Sequence, residues 1–111
     1  MKNFPEHAMR PHLRVEANII SRAIGGFLKG GCAISVFDGE EFAVQKSTSR
    51  AEIEAECFAT EETTFNVWKD GKKIGFVWFI HGNGHDVISD YSDSPELEAM
   101  MASAIKFGET A

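Results

Sequence analysis

The stretch His81-Gly82-Asn83-Gly84-His85-Asp86 holds the densest set of side chains able to do chemistry, with Asp90 and Asp93 close behind it. Two imidazoles flanking a tight loop can approach each other, and a neighbouring carboxylate can complete a metal-ligand set. His81, His85 and Asp86 are therefore the candidate metal ligands. A metal-binding protein or small enzyme centred on residues 81–86 is one reading of the chain. No Cys-x-x-Cys or His-Glu-x-x-His accompanies the three residues. The same stretch also reads as a polar hairpin loop whose glycines make the turn, and that reading carries more weight.

Other reaction chemistries find less support. Gly82 and Gly84 form a Gly-x-Gly that opens no helix, so the helix N-terminus that would hold a pyrophosphate is missing. There is no Gly-Lys-Ser/Thr phosphate loop and no serine in a nucleophile-elbow pattern. Asp90, Asp93, Glu96 and Glu98 could split acid and base roles if their environments differed. A predicted helix start accounts for them more simply. Cys32 and Cys57, the only cysteines, read as small buried hydrophobes with reduced thiols. No catalytic residue and no cofactor is assigned, and the balance is against an enzyme.

The elements that must position these residues are organised around Ile74-Gly75-Phe76-Val77-Trp78-Phe79-Ile80. Both alternating sets of this run are apolar, which predicts a central strand covered on both faces. Before it, Thr63–Lys69 reads as a strand with Phe65 and Val67 on one side and Asn66 and Trp68 on the other. Asp70-Gly71 turns one into the other. Cys32–Phe37 and Glu41–Lys46 read as an earlier hairpin joined through Asp38-Gly39, a pair suited to tight turns. Asp86–Tyr91 reads as a fifth strand.

Three helices complete the pattern. Leu13, Ala17, Ile20, Ala23, Ile24, Phe27 and Leu28 form one stripe of a helix that opens at Pro11 and stops at Gly30-Gly31. Gly25-Gly26 inside it implies a close backbone approach or a bend. Ser49 with Glu52 forms a capping box for a short helix over about residues 50–59. Ser94-Pro95-Glu96 opens the last helix, whose buried stripe is Leu97, Met100, Met101, Ala104 and Ile105, and Lys106 and Gly108 are expected to close it. The order α-β-β-α-β-β-β-α predicts an α+β domain over residues 11–108, with an antiparallel sheet of about five strands. Residues 1–10 show no periodicity and are expected to form a flexible arm.

Composition bounds the function. At 111 residues, 43% hydrophobic and 25% charged, the chain is ordinary for one globular domain. No apolar run approaches a membrane span, and residues 1–7 lack the apolar core of a signal peptide, so the chain is expected in the cytoplasm. The net charge is −6, distributed unevenly: residues 51–111 hold four basic against twelve acidic residues. Phosphate backbones repel such a chain, so nucleic acid is a poor partner. Seven aromatics, Trp68, Trp78, Phe37, Phe42, Phe65, Phe76 and Phe79, are expected mainly as core. Helices that leave one sheet face bare would expose part of them. Val77 and Phe79 are expected on the face covered last, and with Trp68 they are the candidate interaction residues. A homodimer through that face follows as the expected oligomer.

Ser35-Val36-Phe37-Asp38-Gly39-Glu40-Glu41, Lys46-Ser47-Thr48 and Gly84-His85-Asp86-Val87-Ile88-Ser89-Asp90-Tyr91 resemble small proteins of no known activity encoded by bacteria and their phages or prophages. The resemblance spans roughly residues 32–92. An aromatic residue is frequent in such proteins where this chain has His85, a departure that weakens the metal reading. The resemblance implies a phage or prophage accessory protein acting on a host component. With the negative evidence for catalysis, the sequence points to a non-enzymatic protein-interaction module, bound to another protein or to itself.

Overall fold

Asp70 and Gly71 both adopt positive φ, 53° and 80°, the backbone pair that matches a two-residue hairpin to strand twist. They join β3 (Glu62–Lys69) to β4 (Lys72–Ile80), the longest hairpin of the sheet. The computed structural model describes residues 11–58 and 61–110. The arm expected over residues 1–10 lies outside them. The described chain runs α1 (Pro11–Lys29), β1 (Ala33–Phe37), β2 (Phe42–Ser47), α2 (Arg50–Cys57), β3, β4, a single 3-10 turn (Gly84–Asp86), β5 (Ile88–Tyr91) and α3 (Pro95–Thr110). The five strands form one antiparallel sheet in the order β2-β1-β3-β4-β5. The predicted α+β class and element order are those of the molecule. The central position belongs to β3, with β4 one strand in from the edge.

Helices pack on one face of this sheet. Along β4, Gly75, Val77 and Phe79 are buried, whereas Ile74, Phe76, Trp78 and Ile80 are only partly so. The register carries the same alternation across the sheet. Val36 pairs with Phe65 and Phe65 with Val77, all fully buried. These residues meet Ile20, Ala23, Ile24 and Phe27 of α1, Ile53 and Cys57 of α2, and Leu97, Met101 and Ala104 of α3 in one core. The expected cover on both faces of β4 is therefore corrected. Val77 and Phe79, expected on the face covered last, are 0% exposed beneath the helices. The apolar run from Ile74 to Ile80 predicts burial of both sides, but the helical stripes suffice for only one.

Local chemistry explains most boundaries. Ser49 accepts a hydrogen bond from the Glu52 amide and caps α2. The other half of the expected capping box is taken by the Ser47 hydroxyl, which accepts from the Ser49 amide. Ser94 caps α3, accepting from the Leu97 amide at 3.4 Å. Asp38-Gly39 makes a wider turn than Asp70-Gly71. The Asp38 carboxylate accepts from the Glu40 and Glu41 amides, both at 2.9 Å, and these bonds, Glu41's first, hold it below the usual carboxylate range. The expected strand over Asp86–Tyr91 begins only at Ile88, because the 3-10 turn takes the preceding residues.

The glycines of α1 mark a close approach, by a helix and not by the sheet. A Cβ on Gly26 would collide with the Met100 carbonyl of α3. One on Gly25 would meet the Arg50 guanidinium of α2 at 2.7 Å. Gly108, expected to end α3, sits inside it. A Cβ there would lie 3.3 Å from Ile19 Cδ1, so small size at a helix contact accounts for this glycine. Among the described residues, no helix is long and apolar enough to cross a membrane.

Candidate functional site

The loop that the sequence marks as chemically rich is tied down from below by a residue the sequence reading passed over. Glu16 of α1 is 0% exposed and reaches under the β4–β5 connection. Its carboxylate accepts from the Gly82 amide, 2.9 Å to each oxygen, from the Gly84 amide at 3.1 Å, and lies 3.2 Å from His81 Nδ1. On the other side of the imidazole, His81 Nε2 lies 3.2 Å from the Thr63 hydroxyl, which donates to the Cys57 carbonyl at 3.0 Å. Burial alone would raise the Glu16 pKa. The bonds from His81, Gly82 and Gly84 outweigh it and bring the pKa below its ordinary value.

A carboxylate, an imidazole and a hydroxyl in a row have the order of a hydrolytic triad. The resemblance ends at the hydroxyl. Thr63 is 1% exposed, and its proton is already given to a backbone carbonyl. The chain is a structural tie between α1, β3 and the β4–β5 loop. Its signal was available: Glu16 falls in the apolar stripe of α1, three residues before Ile19 and four before Ile20, where a carboxylate must find a buried partner.

The three predicted ligands are not brought together as a set. His81 turns inward and spends both nitrogens on Glu16 and Thr63. His85 and Asp86 are exposed on the 3-10 turn. Among the described residues, no group of three or more His, Cys, Asp or Glu is placed to hold a metal. His85 and Asp86 instead border a cavity of about 310 Å³ with Ile19, Tyr91, Ile105 and Gly108 on its walls. Both thiols are buried, and burial raises both pKa values, that of Cys57 far above the usual thiol range. No buried side-chain polar atom among the described residues lacks a hydrogen-bond partner.

The larger chemical feature is the bare face of the sheet. Phe37, Trp68, Phe76 and Trp78 lie there partly exposed, with Phe42 45% exposed beside them. Only Phe65 and Phe79 of the seven aromatics expected mainly as core belong to it. Trp68, a candidate interaction residue, is on this bare face, whereas Val77 and Phe79 are on the opposite one. Phe37 and Phe42 pack ring to ring at 5.1 Å. The indole of Trp68 donates to Ser35 Oγ at 3.1 Å, and Lys46 Nζ lies 4.3 Å over its ring. The indole of Trp78 donates to Glu62 Oε1 at 3.2 Å. A shallow groove of about 220 Å³ runs between Phe42, Ser35, Lys46 and Trp68. Thr64 and Asn66 of β3 complete the surface, giving fixed rings interleaved with hydrogen-bonding groups. No protein-family model, no curated protein and no solved structure matches this chain.

Proposed function

We propose that the protein is a non-enzymatic interaction module that binds another protein chain through the bare face of its sheet. The supporting observation is that Trp68, Phe76 and Trp78, with Phe37 and Phe42, occupy the one face that the three described helices leave open. Rings with an apolar body and a satisfied polar edge are the side chains that dominate protein interfaces. Leaving them in water forgoes the free energy that a covering surface would recover. The buried polar groups around Glu16 and His81 are spent on one another, which favours a structural role for that loop. The resemblance to phage and prophage proteins makes a bacterial host component one class of partner to seek, and self-association is the other.

The test uses Trp78→Arg, which places a new charge on the bare face without touching the core. The parent should self-associate or capture a protein from bacterial lysate at stoichiometric level, and the variant should lose that binding while keeping the parent's circular dichroism and the melting midpoint that the parent shows as a single chain. A parent that stays monomeric and captures nothing in replicate contradicts the reading. Binding that survives Trp78→Arg contradicts the assignment to this face.

A further inference from the structure

The two tryptophans of the bare face sit in opposite electrostatic surroundings. Trp68 has Lys46 over its ring and Lys73 as its register partner on β4. Trp78 has Glu62 on its indole nitrogen and Asp90 as its register partner on β5. All four charged residues are exposed. Trp78 pairs across with Thr64, four residues along β3 from Trp68, so the two rings lie about 13 Å apart along the strands. Between them is the uncharged pair Asn66 and Phe76. The face therefore has a basic end, a neutral aromatic middle and an acidic end.

From this placement we infer that the chain covering the face is a second copy of the protein, stacked face to face about a two-fold axis that runs across the strands over Asn66 and Phe76. The inference rests on the interaction reading above and names its partner. In a two-fold interface the same patch serves both subunits, so each contact of residue i with residue j is repeated as j with i. An axis across the strands reverses strand direction and lays the Lys46–Trp68–Lys73 end of each copy over the Glu62–Trp78–Asp90 end of the other. An axis along the strands would lay like charge on like.

Charge balance favours this occupant. A chain of net −6 repels its own copies, so self-association needs a patch that is locally neutral and self-complementary. The two lysines and two carboxylates of this face provide one. Area is consistent with it. The five strands hold 5, 6, 8, 9 and 4 residues, and at about 4.8 Å between strands and about 3.3 Å per residue they present roughly 500 Å² in plan. Side chains that stand out from the strands add to this plan area, which is that of a small interface, below the ~800 Å² per partner of a standard one. Aromatic rings beside lysines also stack on the bases of single-stranded nucleic acid. Here two carboxylates border one of the two indoles, which disfavours a phosphate backbone.

Charge reversal at each end separates these outcomes. One variant carries Lys46→Glu and Lys73→Glu, the other Glu62→Lys and Asp90→Lys. Their masses are read by light scattering at tens of micromolar, after circular dichroism shows the parent's fold in each. The parent should run at twice its 12.3 kDa chain mass. Each variant alone should fall to the single-chain mass, the equimolar mixture should return to the doubled mass, and a chain carrying all four changes should dimerise by itself. A dimer retained undiminished in both variants, or a mixture that stays single-chain, overturns the inference. A monomeric parent that still captures a bacterial protein in a Trp78-dependent way overturns the second copy alone and leaves the interaction face standing. A monomeric parent whose tryptophan emission is instead quenched by single-stranded oligonucleotide overturns both.

Discussion

Along β4, Val77 and Phe79 point into the helices, and Phe76 and Trp78 point away from them. The two faces share the same strands and are both rich in apolar residues, yet they differ in kind. Apart from Thr63, whose hydroxyl is bonded to the Cys57 carbonyl, the covered face is built from Ile34, Val36, Phe65, Val67, Val77 and Phe79, none with a polar side-chain atom, and all fully buried. On the bare face the rings alternate with Ser35, Thr64 and Asn66, and both indoles have hydrogen-bond partners within the face. Total apolarity does not distinguish the covered face from the bare one. The difference lies in the two indoles, whose N–H groups are satisfied by Ser35 and Glu62 beside them, and in the polar share of the strands that carry them.

The sharpest way to break this comparison is to truncate one ring on each face. Phe79→Ala should cost about 3–5 kcal/mol, because the side chain is fully buried and the site cannot collapse freely. Phe76→Ala, measured under conditions where the protein is a single chain, should cost less, about 1–2 kcal/mol, since its ring is only partly buried on the face that the helices leave bare. Denaturant unfolding of both variants checks this, and equal losses would mean that the two faces are not distinct.

Removal of the buried tie comes next. Glu16→Gln should cost about 3 kcal/mol, since it strips the charge from a carboxylate that accepts from two amides and faces an imidazole. The pH dependence has a definite sign. The Glu16 pKa in the folded state lies below its ordinary value of 4.5, so its contribution is present above that value and is lost as pH falls through the lowered one. Thermal unfolding in acid should therefore show a loss in the parent that Glu16→Gln lacks. Parallel curves for parent and variant would rule out the tie as the source.

Smaller effects test the helix starts that hold the covered face. Ser49→Ala and Ser94→Ala should each cost ~1 kcal/mol through the lost cap bond. Unchanged melting midpoints would mean those bonds contribute nothing. At the end of the scale, calorimetric titration with zinc, nickel and manganese at micromolar metal should give no heat of binding, because His81 is engaged with Glu16 and Thr63. Measurable heat abolished by His85→Ala would return a metal role to the loop.

Much of this molecule is legible from residue types. The order of elements follows from turn and cap signals such as Asp70-Gly71, Ser49 and Ser94-Pro95, which act over a few residues. The alternation in β3 correctly separates Phe65 and Val67 from Asn66 and Trp68. Which face the helices choose is not local. It depends on contacts between residues far apart in sequence, such as those that gather Val77 and Phe79 with Ile20, Phe27 and Leu97 into one core. That is why Val77 and Phe79 were expected on the wrong side. The bare face was half visible. Glu62, Thr64, Asn66 and Trp68 alternate on β3 as a surface with a polar share, whereas β4, apolar at every step from Ile74 to Ile80, conceals which side is open. Gly108 looked like a helix stop because glycine's freedom and its small size leave the same mark in a sequence.

Both tryptophans of the chain lie on the bare face, so its intrinsic tryptophan fluorescence reports that face and nothing else. Quenching by acrylamide across a dilution series measures directly whether another chain covers it. The account predicts weak quenching at tens of micromolar that strengthens on dilution, with Trp78→Arg leaving Trp68 open at every concentration. Quenching that is strong and independent of concentration in the parent protein, with no protein partner added, would contradict a face that a second copy covers.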